Sequence, residues 1–245
     1  MRELFEDAVL VYRQEADSLL AIVTVTAVLS LVLLIGAAMS LTLALAAIPL
    51  FIVLYLATFS LCLQWAGTMS TSRTFGRGEK PWLELLGRAP SILYAAGPGC
   101  LLAMLVAGSA VVAGDAGFWY LSIAVGLLGL IAGSQWFAKH AYDQAIVIVF
   151  EAGARDAIDA GARLTEDGHE WTMRLIGLLL LPLVIVGAVC VLLGMMLAPL
   201  AGAAIFVLAL AVWLPFAALV LTNACQRLMD EQGALARLAT GPVLP

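Results

Sequence analysis

Apolar and polar positions alternate along this chain in blocks rather than residue by residue. The first apolar block runs from Leu19 to Ala66, 48 residues without a charge. A helix rises 1.5 Å per residue and lipid hydrocarbon is about 30 Å thick, so one crossing takes about 20 residues. The block therefore predicts two spans, about Leu19–Ala38 and Leu41–Ala66, with a turn at Gly36 and Met39-Ser40. The second block, Ala89 to Ala138, is interrupted by Ala113-Gly114-Asp115-Ala116-Gly117, a stretch rich in turn residues. It predicts spans over about Pro90–Val112 and Phe118–Phe137. The third block, Trp171 to Cys225, breaks near Met196-Leu197-Ala198-Pro199 and predicts spans over about Trp171–Leu197 and Ala201–Cys225. Strands of a membrane barrel would be about 10 residues long with alternating polarity, which none of these segments shows. The expectation is an all-α integral membrane protein with six transmembrane helices in three hairpins, forming a single membrane domain over 1–245.

Charge then orients the bundle. The chain has 12 Lys+Arg and 17 Asp+Glu in 245 residues. The basic residues are Arg2, Arg13, Arg73, Arg77, Lys80, Arg88, Lys139, Arg155, Arg163, Arg174, Arg227 and Arg237. All fall near the termini or in the connections between spans two and three and between spans four and five. The other three turns carry none. Short loops rich in Lys and Arg stay on the cytoplasmic side, which predicts N-in and C-in in a cell (inner) membrane. Of all charged residues only Asp115 falls outside, where it reads as the N-cap of span four. The start, Met1-Arg2-Glu3-Leu4-Phe5-Glu6-Asp7, is mixed in charge and lacks the pattern of a cleavable signal peptide.

Composition narrows the function classes. Hydrophobic residues make up 63% and charged residues 12%. A soluble domain is about 45–50% apolar and about 25% charged. The net charge of −5 offers no basic footprint for nucleic acid. Membrane lipids and other membrane subunits are the expected partners.

Each hairpin follows a charged segment on the inner side: Leu4 to Arg13, Pro81 to Arg88, and Ala154 to Arg163. Each reads as a short helix lying at the cytoplasmic interface. Spans two and four end on Gln64-Trp65 and Gln135-Trp136, and span six has Thr222-Asn223 at comparable depth. These matches predict three parallel hairpin repeats, about 1–78, 79–153 and 154–238, followed by a tail over 239–245. In Phe5-Glu6-Asp7-Ala8, Trp82-Leu83-Glu84-Leu85 and Arg155-Asp156-Ala157-Ile158, each ahead of a long hairpin, the chain resembles a family of six-span proteins. This is the membrane domain attached to some glycerophosphodiester phosphodiesterases, together with its stand-alone relatives. The resemblance implies a fold and a location. Catalysis in that family resides in a separate barrel, which needs about 250 residues of its own.

Candidate chemistry is sparse. Gln64, Gln135 and Asn223 either line a polar vestibule opening inward or serve as interhelical hydrogen bonds and interface anchors. Trp65, Trp119, Trp136 and Trp171 suit an interface belt. His140 and Asp143, three apart, read as a solvated continuation of span four, with a general-base pair as the alternative. In Glu166-Asp167-Gly168-His169-Glu170 the carboxylates are expected to cap span five and favour its positive end. Two His residues without C-x-x-C or H-E-x-x-H predict no metal site, and no P-loop or G-x-S-x-G is present. Asp156, Asp159 and Asp167 lack the dense acidic pattern of a two-metal lipid transferase. No cofactor is expected. Cys62, Cys100, Cys190 and Cys225 all lie in spans and read as small apolar residues.

Ser122, Gly126, Gly129 and Gly133 form a small-residue stripe for close helix packing. Pro49, Pro98, Pro182 and Pro215 fall inside spans and predict kinks. The functional expectation is a non-enzymatic scaffold or accessory subunit. The alternatives are a permease-like component for an apolar or amphiphilic solute such as a lipid, and, more weakly, a lipid-modifying enzyme using His140 and Asp143.

Overall fold

A computed structural model describes residues 2–14, 16–70, 81–196 and 198–231, and every element in them is an α-helix. Arg73, Arg77, Lys80, Arg237 and the tail over 239–245 lie outside the described residues. The order is α1 (Arg2–Gln14), α2 (Ala16–Ala37), α3 (Leu41–Ser70), α4 (Pro81–Asp115), α5 (Trp119–Lys139), α6 (Asp143–Val149), α7 (Ala154–Asp167), α8 (His169–Met196) and α9 (Pro199–Glu231). Among them α3, α4, α5, α8 and α9 are long and apolar enough to cross a membrane. The apolar part of α2, Ala21–Ala37, is shorter. Large apolar side chains stand exposed along these helices, among them Val32, Leu50, Leu105, Leu128 and Val191. Apolar surface on that scale needs an apolar surrounding. The architecture is that of an all-α membrane protein.

The helices pack as three hairpins, α2 with α3, α4 with α5, and α8 with α9. The second helix of each hairpin also meets the first helix of the next: α3 meets α4, α5 meets α8, and α9 returns to α2. The central helix is α9, which packs on α1, α2, α3, α6 and α8. A polar seam joins α2, α3 and α9 inside the bundle. The Thr26 and Thr58 hydroxyls share a 2.8 Å hydrogen bond, and the one that accepts it donates to a carbonyl of its own helix, Ile22 O or Leu54 O. Ser30 donates to the Tyr55 hydroxyl at 3.3 Å, which donates to the Val207 carbonyl at 3.3 Å. On the far side of α9, the Trp213 indole donates to the Leu179 carbonyl of α8 at 3.1 Å.

Several boundaries differ from those expected. The segment Pro81–Arg88 is not a separate interfacial helix but the first turns of α4. Leu85, Leu86, Ala89 and Ile92 line one continuous cleft with Val53, Leu56 and Ser60 of α3, and this packing carries the helix through Pro90. The two other charged segments are separate helices, α1 and α7. On α7 the buried positions Ala157, Gly161, Leu164 and Thr165 form one face, while Arg155, Asp156 and Arg163 are exposed.

Asp115 does not cap the fourth span. It ends α4, and the residue preceding α5 is Phe118, with no side-chain cap. The loop is built to finish α4 instead. Phe118 N–H donates to Ala113 O at 2.8 Å and Gly117 N–H to Gly114 O at 3.1 Å. This is a Schellman motif, and Gly117 takes the left-handed conformation it requires, at φ +82°. At the turn between α2 and α3, the Ser40 hydroxyl accepts from Leu43 N–H at 3.2 Å and so caps α3.

Candidate functional site at the break between α5 and α6

After Lys139 the chain does not continue straight. His140, Ala141 and Tyr142 turn it inward, and α6 begins at Asp143. The expected solvated extension of span four is therefore overturned. The reason lies in the residues that follow: Ala145, Ile146, Val147, Ile148 and Val149 are apolar on every face and all are buried. A helix apolar all round must enter a core. The α6 helix inserts among α3, α4, α7 and α9. Trp119 to Val149 covers 31 residues, against 30 in α3 and 33 in α9. The second helix of the middle hairpin has the length of its counterparts, but it is broken.

The break is held by side chains. Arg88 of α4 donates to the Ile148 carbonyl at 2.8 Å and pairs with Glu151 at 2.6 Å, placing a cation at the C-terminal end of α6. Glu151 sits at φ +58° in the turn that follows. The Tyr142 hydroxyl, fully buried, shares a 3.2 Å hydrogen bond with Thr172 of α8. Asp143 and His140 join through a 2.7 Å contact to Nδ1, and the Asp143 side chain is only 1% exposed. The imidazole stacks on Trp136 at 4.8 Å. Burial pushes the Asp143 carboxyl up to about 6, against the His140 hydrogen bond and charge, which lower it. Its Oδ1 has no hydrogen-bond partner, and it faces Gly161 of α7 where any side chain would collide with it. The pair is thus an oriented imidazole in a tight pocket rather than a solvated face.

Beside this break lies a cavity of about 400 Å³, lined by Gln135, Ala138 and Lys139 of α5, Ala162, Thr165 and Glu166 of α7, and His169 and Met173 of α8. Thr165 anchors its floor, donating within its own helix to Gly161 O at 2.9 Å and reaching Lys139 O at 3.3 Å. Of the carboxylates expected at the start of the fifth span, Glu170 stands in the first turn of α8, where its charge favours the helix N-terminus, whereas Glu166 and Asp167 belong to the last turn of α7.

The structure gives the remaining predicted residues different settings. Gln135 opens on this cavity, whereas Gln64 on α3 and Asn223 on α9 do not line it. Ser122 donates to Ala110 O of α4 at 2.7 Å, and Gly129 receives the Val106 side chain. Gly126 and Gly133 meet nothing within 4 Å of where a Cβ would stand. Trp136 lies across Gly99 of α4. Pro49, Pro98, Pro182 and Pro215 lie within α3, α4, α8 and α9. All four cysteines are free thiols. Among the described residues no three His, Cys, Asp or Glu side chains group as a metal site.

Sequence reasoning missed Glu166, Thr165 and Met173 as partners of Gln135, because α5, α7 and α8 meet only in the fold. One signal was readable: Ala145–Val149 is too uniformly apolar for a solvated extension, so it had to turn inward. No family, no curated protein and no solved structure matches the chain.

Proposed function

We propose that this chain is a six-span membrane protein with both termini cytoplasmic, built from three parallel hairpin repeats, that acts without catalysis as a scaffold or accessory subunit packing against lipids and partner membrane proteins. The observation that carries the reading is the pattern of exposure. The helices present apolar side chains outward along their whole length, and the charged groups are confined to their ends. Among the described residues, no charged side chain falls in the middle of the long apolar helices, where a proton relay or ion-coupling carboxylate would mark a pump.

The sixth span is α2: its 22 residues at 1.5 Å each give about 33 Å, enough to cross. The cyclic packing of α3 on α4, α5 on α8 and α9 on α2 supports three repeats about an axis along the membrane normal. Resemblance to the membrane domain of the phosphodiesterases supports the same arrangement.

Purification in mild detergent followed by mass spectrometry tests the reading. Co-purifying membrane subunits or stoichiometric lipid are expected; a stable, lipid-free monomer would contradict it. The mixed cavity at Gln135 favours a second reading, a permease-like component for an amphiphile. Replacing Gln135 by Leu should then abolish solute movement in vesicles, and unchanged flux would sink it.

A further inference from the structure

We infer that the cavity between α5, α7 and α8 binds the headgroup of a membrane lipid bearing phosphoethanolamine. The inference rests on the membrane placement proposed above and assigns that placement a specific ligand. Three observations carry it.

The first is charge. Lys139 and Glu166, residues of opposite charge, line the same cavity from different helices, and neither is in an ion pair among the described residues. Two residues of opposite charge at one cavity complement a zwitterion: the phosphate meets Lys139 and the ammonium meets Glu166. A purely anionic headgroup would meet Glu166 unfavourably, and a purely cationic ligand would meet Lys139.

The second is hydrogen bonding. Gln135 and Glu166 offer acceptors to a primary ammonium with N–H groups to donate, and His169 and Thr165 offer further polar atoms. A quaternary ammonium donates nothing and is held by aromatic faces. No Trp, Tyr or Phe lines this cavity, which separates phosphoethanolamine from phosphocholine.

The third is position. The cavity lies where the last turn of α5 meets the first turns of α8, at the ends of two apolar helices, so it sits at the level of lipid headgroups. Ala138, Ala162 and Met173 complete its lining with apolar surface. Acyl chains can leave along α5, whose outward face carries Leu127, Leu128 and Ile131, all exposed.

The test is native mass spectrometry of the full chain in mild detergent, with phosphatidylethanolamine, phosphatidylglycerol of the same acyl chains, and free phosphoethanolamine added separately. Wild type should retain phosphatidylethanolamine over phosphatidylglycerol by about tenfold, the effect of one charge-assisted contact. Glu166→Gln should bring the two lipids to parity without weakening phosphatidylglycerol. Lys139→Ala should weaken both by about tenfold. Asp115→Asn, on the outer loop, should change nothing. Equal retention by wild type, or unchanged selectivity in Glu166→Gln, overturns the site. Free phosphoethanolamine displacing the lipid at equal concentration overturns the lipid as its source. Sidedness of thiol labelling at Asp115→Cys reports the membrane placement separately, so a failed headgroup site and a failed placement are distinguished.

Discussion

Burial sets the Asp143 carboxyl near pH 6 and leaves it one strong neighbour, the His140 imidazole at 2.7 Å. The unfolded chain releases this proton near 3.8, and the folded chain holds it to about 6. The folded state therefore binds more protons across that interval, and stability falls as pH rises through it. The stabilising contribution is complete below about pH 4 and lost above about pH 6, a difference of about 3 kcal/mol. Asp143→Asn removes the titration. Its melting temperature in detergent should match wild type at pH 4 and exceed it above pH 6; a gap that does not widen with pH would contradict the buried carboxyl. His140→Ala removes the neighbour that lowers the carboxyl, so a protonated-carboxyl band in infrared difference spectra should persist to higher pH. Gly161→Ala sets a methyl against the Asp143 carboxylate and should destabilise by about 1–3 kcal/mol, the usual cost of overpacking.

Helix pairing turns on a few contacts with clear signs. Gly129 faces Val106 and Gly133 faces open space, although the two form one G-x-x-x-G. Gly129→Leu should lower thermal stability in detergent by several degrees, while Gly133→Leu should leave it within error; equal effects would show that α4 and α5 pack differently. In the polar seam, Thr58→Val breaks the bond to Thr26 across α2 and α3 and should cost about 0.6–1.7 kcal/mol in chemical unfolding. The apolar run lengths and the turn residues Ser40 and Gly117 made the long helices and two of the turns readable in advance. Other features were not. A Gly-Asp-Ala-Gly loop reads equally as the start of one helix or the end of another, and backbone hydrogen bonds from Gly117 and Phe118 decide for the end of α4. Pro90 looks like a boundary until α3 supplies a surface along which α4 runs unbroken. The break before α6 was obscured because Lys139, His140 and Asp143 read as a helix emerging into solvent, although the apolar run Ala145–Val149 after them pointed back inward. Thr26, Ser30, Tyr55 and Thr58 drew no attention singly, since hydroxyls inside spans are common and their pairing exists only in three dimensions.

At the scale of the whole molecule, one-sided charge and cyclic packing lead to the same picture. α1, α6, α7, the broken helix and the mixed cavity flank the starts or ends of the long helices, while the described turns after α2, α4 and α8 are short. Orientation in the membrane is the claim from which the scaffold and lipid readings both follow, and labelling with a membrane-impermeant thiol reagent in intact cells tests it most directly. The four native cysteines lie within helices α3, α4, α8 and α9, three of them buried, so they provide a quiet background. Ser40→Cys and Asp115→Cys should react from outside, and Glu6→Cys and Asp156→Cys only after the membrane is opened. Labelling of Ser40→Cys and Asp115→Cys on opposite sides, or of Asp156→Cys in intact cells, would contradict six spans with both termini inside.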